Sequence, residues 1–311
     1  MSDASLPKNE DSRSGFAFAL CAYLLWGFLP LYMKALAHVS PLEVIAHRVL
    51  WSLPVGLGVI IWLGRTQDLR KALRTPRMLM MAAATAGLIS VNWGTYVWAI
   101  GSGHALEAAL GYYINPLFSV LLGRIVLKEQ LTRAQWAAIG LAAAAVGLLT
   151  VEAGRVPMVA MGLTVTWGIY AYLKKSLPIG PNQGFTLEVM LLAPFALGYL
   201  VWLHSQGAPH FAQGVTSDDL LLIGTGLVTA VPLMIYANGA KRLRLSTIAM
   251  MQYVSPTIIF IIAVFVFGEP FGAARLVAFP MIWTALVIFT VSSIRARGRA
   301  RQASSVIQTG T

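Results

Sequence analysis

Asn92, Trp93 and Tyr96 lie within about one helical turn of each other and share much of one helix face. Tyr113 and Asn115 stand just before Pro116, and Tyr253 and Ser255 stand just before Pro256 in the same arrangement. Trp26, Trp167, Tyr170 and Tyr236 add further rings. All of these groups fall inside apolar stretches, where an amide or hydroxyl facing lipid is costly, so they are expected to point inward. There they could line a cavity and bind a small molecule through ring contacts and hydrogen bonds. The competing use is hydrogen bonding between helices together with aromatic belts, and Trp51, Trp62, Trp136, Trp202 and Trp283 suit a belt.

Bond-making chemistry finds little support. No Asp lies inside an apolar stretch, Cys21 is the one cysteine, and no His/carboxylate cluster has metal-ligand spacing. A Walker-type Gly loop is missing, so the chain is expected to need neither ATP nor an ATPase subunit, and no cofactor. Among the ionisable groups, His47 and Arg48 sit about two turns into an apolar helix, and Arg48 needs a partner such as Glu107 or a backbone carbonyl. Glu188 holds the equivalent place later in the chain. Glu129 and Glu269 close their helices, where snorkelling and capping compete with substrate contact.

Pro116 and Pro256 each remove a backbone donor, freeing the carbonyls of Tyr112 and Gln252 at membrane depth. Both are read as hinges, against the alternative of static kinks. In each case a Tyr precedes the Pro by three residues and a Glu, Glu129 or Glu269, follows it by thirteen. That repetition, at an offset of 140, also brings Pro41 onto Pro181, Pro54 onto Pro194 and Tyr96 onto Tyr236. At an offset of 141, Trp26-Gly27 meets Trp167-Gly168. The chain reads as an internal duplication.

The elements that carry these residues follow from composition. Of 311 residues 57% are hydrophobic and 11% charged, with a mean hydropathy of +0.70, whereas soluble domains carry roughly a quarter charged residues. Ten apolar segments are each near the ~20 residues a bilayer crossing needs: 15–36, 42–63, 77–100, 105–123, 132–151, 156–173, 184–203, 219–237, 245–267 and 271–294. Residues 1–14 read as a disordered cytoplasmic tail, 64–76 and 204–218 as the longest loops, and 295–311 as a basic tail with a disordered end. Gly140 and Gly147, amid Ala in the fifth segment, read as places of close helix packing.

The net charge of +11 sits in short clusters between apolar runs, which argues against nucleic acid as a partner. Nineteen Lys and Arg fall on one set of alternating connections and tails. Only Lys34, Arg155 and Arg275 fall on the other set. The positive-inside rule then predicts both termini in the cytoplasm. Five helices per copy is an odd number, so the second copy is inverted, as in secondary transporters that bind substrate at the repeat interface.

Asn92-Trp93 with Val97-Trp98-Ala99, then His104 through Leu117 (HALEAALGYYINPL) and Lys128-Glu129, resembles the RarD-type branch of the drug/metabolite transporter superfamily. Ala46-His47-Arg48-Val49-Leu50-Trp51-Ser52 does so too, and the similarity covers about residues 15–295. The resemblance implies two EamA-type five-helix repeats of inverted topology that export metabolites, amino acids or toxic cations; one kind of member exports aromatic and other neutral amino acids. The second half departs from the first, with Met250-Met251-Gln252 where the first has Leu110-Gly111-Tyr112, and Ser255 for Asn115.

The expectation is therefore an all-α membrane protein with repeats over 15–151 and 156–294. It would be an inner-membrane exporter, a monomer with a dimer as the alternative, of small neutral or zwitterionic metabolites, amino acids first among them. Exporters of hydrophobic or quaternary cations and a non-transporting receptor or scaffold are the alternatives. Substrate contacts fall to Asn92, Trp93, Tyr96, Tyr113, Asn115, Trp167, Tyr236, Tyr253 and Ser255, and hinging to Pro116 and Pro256.

Overall fold

Several helix starts in this chain are marked by side chains that take up orphan backbone donors, or by prolines that have none to satisfy. In the computed structural model, which describes residues 12–126, 131–176, 178–240, 243 and 251–309, Ser12 Oγ accepts from Gly15 N–H and opens α1, Arg13–Ala35. Ser40 Oγ accepts from Glu43 N–H, and Pro41 opens α2, Pro41–Trp62. Thr132 and Gln135 form a reciprocal capping box before α6, Arg133–Ala153, which ends on Gly154 at φ +62°.

The other helices are α3 (Thr66–Leu73), α4 (Pro76–Gly101), α5 (Ala105–Val126), α7 (Met158–Ser176), α8 (Pro181–Ser205), α9 (Thr216–Ala240), α10 (Val254–Ile261) and α11 (Ala273–Thr309). A π-helical stretch, Ile262–Val266, continues α10. The described residues contain no strand. Among the described residues seven helices are long and apolar enough to cross a membrane: α1, α2, α4, α6, α8 and α9, and the first part of α11. The other expected segments contain helix where they are described: α5, α7, and α10 with its π-helical continuation, the last covering only 254–266 of the expected 245–267. Starts recur at an offset of 140: Pro41 and Pro181, Pro76 and Thr216, Arg133 and Ala273.

Two expectations are corrected. Residues 64–76 contain α3, because Leu69 and Ala72 lie on one helical face and bury it against Ile60, Ala82 and Leu187. Gln183 Nε2 donates to Asp68 Oδ2 at 3.2 Å, tying this short helix to the start of α8. The basic tail is also helical: α11 runs on through Arg295 to Thr309. No proline interrupts that run, and Ala, Arg and Gln favour helix. Expected features at Glu129, Lys128, Lys241, Arg242, Arg244 and most of 1–14 lie outside the described residues.

The helices pack across the halves. α2 lies against α8 and α9, and α1 against α9 and α10. Likewise α4 lies against α7 and α8, α5 against α7 and α10, and α6 against α11. Close crossings occur at glycine. A Cβ on Gly226 of α9 would fall on the backbone carbonyl of Trp51 in α2, and one on Gly111 of α5 would lie 2.8 Å from the carbonyl oxygen of Ala160 in α7. Gly140 and Gly147 do not work this way, since a Cβ at either meets nothing within 4 Å. The face of α6 that packs on α11 is Ala138, Ala142, Ala145 and Leu149, on the other side of the helix.

These crossings predict opposite outcomes for one substitution. Gly226→Ala is expected to destabilise the fold by about 1–3 kcal/mol through overpacking. Gly140→Ala should be neutral, or stabilising by at most ~1 kcal/mol from helix propensity. Thermal unfolding of both variants in detergent checks this.

Candidate functional site

Arg48 is buried in α2, 3% exposed. Its Nε–H donates to Thr229 Oγ1 of α9 at 2.9 Å, and its guanidinium lies over the Trp93 ring of α4, 4.7 Å from the centroid. Thr229 itself donates back to the carbonyl of Thr225, leaving its oxygen free to accept from Arg48. Expected partners for Arg48 were Glu107 or a backbone carbonyl; Glu107 instead lies 3.5 Å from Arg155. A polar hydroxyl and an aromatic face therefore hold the cation.

One turn from Trp93 on α4 is Tyr96, 3% exposed. It begins a run of rings: Tyr96 to Tyr112 of α5 at 5.9 Å, Tyr112 to Trp167 of α7 at 6.4 Å, and Trp167 to Tyr170 at 5.6 Å. Asn92 is fully buried and spends both amide protons on α7, donating to Leu163 O at 3.1 Å and Thr166 Oγ1 at 2.9 Å. It fastens α4 to α7 behind the rings. Asn115 is buried beside Gly168, and its Oδ1 has no hydrogen-bond partner among the described residues.

The other expected residues stand elsewhere. Tyr113 shares a 2.7 Å hydrogen bond with Thr257 and packs edge-on to Phe279 and Trp283, bracing α5 against α10 and α11. Adjacent helical residues point about 100° apart, so Tyr112 joins the ring run and Tyr113 leaves it. Tyr236 forms a separate cluster with Tyr23 and Trp26 of α1, centroids 5.5–5.7 Å apart. Tyr253 is part-buried against the large core cluster, and Ser255 is part-buried in the first turn of α10. Sequence reasoning passed over Tyr112 and Thr229 as site residues and left Arg48 without its partner. Arg48's position inside an apolar run was the available signal.

Pro116 lies inside the uninterrupted α5. Pro256 is in the first turn of α10, directly after a turn at Gln252 and Tyr253. The second half thus breaks its helix where the first merely loses one hydrogen bond.

One end of the bundle is closed by polar contacts between distant segments. The Glu269 carboxylate accepts from Ala105 N–H at 2.6 Å and Leu106 N–H at 2.9 Å, capping α5. The Glu43 carboxylate accepts from His210 N–H at 2.7 Å and lies 2.9 Å from its Nδ1. His38 lies 2.9 Å from Asp218. Among the described residues no group of three His, Cys, Asp or Glu is placed to hold a metal.

The EamA-like transporter family matches residues 13–151. An uncharacterized transporter of Vibrio cholerae is 41% identical, covering 96% of this chain and 98% of its own. The RarD proteins of Streptomyces exfoliatus and Escherichia coli are 40% and 38% identical, covering 94% and 93% of this chain and 93% and 98% of theirs. The chain belongs to the RarD-type branch of the drug/metabolite transporter superfamily. It is a multi-pass membrane protein of a transporter family, not an enzyme. A solved crystal structure shares the fold, with a TM-score of 0.59 at 23% identity over 91% of this chain and 98% of that one.

Glu269 carries a test of the cap. Glu269→Ala strips the carboxylate from the N-terminus of α5, where the helix dipole also favours negative charge. A loss of about 1–2 kcal/mol is expected in thermal unfolding, with the exposed Glu152→Ala unchanged as control.

Proposed function

We propose that this protein is a secondary transporter that exports small neutral or zwitterionic metabolites, amino acids first among them, by alternating access between two inverted five-helix repeats. The helix packing carries this reading. Exchanging α1 with α7, α2 with α8, α4 with α9, α5 with α10 and α6 with α11 turns the α1–α9 contact into α7–α4. The same exchange turns α1–α10 into α7–α5 and α2–α9 into α8–α4. The contacts α2–α8, α5–α10 and α6–α11 map onto themselves. Such a contact pattern is what a two-fold relation between halves requires.

The ring clusters support it as well. Tyr96 with Trp167 and Tyr236 with Trp26 are counterparts under that exchange. With α4 running outward and α9 running inward, the first cluster lies toward the outer face and the second toward the cytoplasm. A substrate path flanked by two equivalent ring clusters can be closed at either end in turn, which is the geometric need of alternating access.

Orientation is tested by cysteine labelling in a Cys21→Ser background, since the native Cys21 is exposed. Ala208 and Arg70 are both exposed, whereas Leu69 is buried, so these are the positions to probe. Ala208→Cys is expected to react with an impermeant thiol reagent added outside intact cells, and Arg70→Cys is not. Labelling of the second from outside would reverse the topology.

Function itself is tested in liposomes containing this protein alone, where uptake of labelled amino acids by counterflow is expected and a scaffold would give none. Pro116→Ala and Pro256→Ala are expected to cut that flux at least tenfold with folding intact. They should shift cysteine accessibility of the path toward opposite faces. Wild-type flux in both would leave the prolines as static kinks.

A further inference from the structure

Arg48 combines features that a purely structural arginine does not need. It lies about 10 Å along α2 from the helix start, and its Nη1 is buried without a hydrogen-bond partner among the described residues. No carboxylate among them pairs with it: Glu107 faces Arg155, and Glu43 faces His210. Tyr96 stands one turn from Trp93 on α4, and its hydroxyl is likewise buried without a partner among the described residues. A guanidinium at membrane depth with neither counter-charge nor full hydrogen bonding is costly, and such residues mark substrate pathways.

The local geometry selects what would relieve that cost. Thr229 occupies Nε and Trp93 covers the guanidinium plane, so the fork is held in one orientation. What remains for a ligand is the Nη end, beside Trp93 and so on the side of α4 that carries Tyr96 one turn further on. A guanidinium without a counter-charge calls for an anion, and its planar fork matches a carboxylate. The adjoining rings of Tyr96, Tyr112 and Trp167 suit an apolar or aromatic body.

We propose that Arg48 binds the carboxylate of the transported substrate, with the Tyr96 hydroxyl as a second donor. The substrate class is then a carboxylate with an apolar or aromatic body, either a zwitterion or a simple monocarboxylate, and cationic substrates are repelled. This rests on the transporter reading above, because it treats the Arg48 region as part of the substrate path.

Three matched probes separate the possibilities: phenylalanine, 3-phenylpropionate and 2-phenylethylamine. Binding to the purified full-length chain is measured by titration calorimetry, and counterflow is measured in liposomes. Both carboxylates are expected to bind, with the amine at least tenfold weaker. Arg48→Gln should weaken the carboxylates at least tenfold and leave the amine unmoved, and Tyr96→Phe should weaken them several-fold. The ratio of phenylalanine to 3-phenylpropionate reports whether an ammonium is read as well.

If Arg48→Gln does not fold, Arg48→Lys decides, since it keeps the charge and loses the fork: weakened carboxylate binding supports the assignment and unchanged binding overturns it. Equal binding of amine and acids, or binding of neither acid, also overturns it. Carboxylate binding without flux would sink the transporter reading and leave Arg48 as a carboxylate site. Flux of the amine with no requirement for a carboxylate would do the reverse.

Discussion

The crossing of α2 over α9 is the contact on which the rest of the site depends. At Gly226 the two backbones come so close that no side chain fits against Trp51. Ser52 Oγ–H then donates to the Gly226 carbonyl at 3.3 Å, and one turn along α9 Thr229 receives Arg48. Lipid offers helices no hydrophobic drive toward each other, so small residues and interhelical hydrogen bonds must supply association. Here the same few residues fix the approach of the two halves and the direction of the buried guanidinium. A larger residue at Gly226 would therefore disturb the site as well as the fold.

Much of the frame was legible in the sequence because it depends on local length and polarity. Seven apolar runs of bilayer length and the 140-residue offset reappear in the helix boundaries of the described residues. The pairing of residues across helices was not legible. Repeat alignment favoured Tyr113 because it matches Tyr253, yet a rotation of about 100° per residue puts Tyr112 into the ring run instead. Gly140 and Gly147, amid Ala, carried the signal for close packing, but Gly226 and Gly111 make close approaches instead. Composition within one helix says little about which face its neighbour takes. The helical tail shows the converse error, where polarity suggested disorder although helix propensity persists to Thr309.

Polar closure at one end of the bundle links segments far apart in sequence. Glu269 caps α5, Glu43 holds the His210 backbone and ring, and Asp218 meets His38. Each contact satisfies donors that would otherwise be orphaned near the end of a helix or in a loop. These contacts run between the first and second halves, so relative motion of the halves must break them. Their exposure differs: Glu269 and Glu43 are buried, whereas His38 is open to solvent. The buried pair should resist opening and the exposed one contribute little.

The halves share a frame without sharing chemistry, and the difference bears on how such a protein could recognise its cargo. Arg48 corresponds to Glu188, Tyr112 to Gln252 and Asn115 to Ser255. Glu188 accepts from the Tyr170 hydroxyl at 3.3 Å, at the far end of the ring run that begins at Tyr96. A fully symmetric pair of halves would offer a substrate two equivalent sites and no preferred orientation. A base at one place and an acid at the other, on helices that pack directly against each other, would give the proposed path a polarity while leaving the packing pattern intact. On the reading proposed here, the symmetric backbone contacts supply two facing states of similar energy, and the asymmetric side chains supply recognition. Substitutions among the side chains can then change what is bound without changing how the halves move.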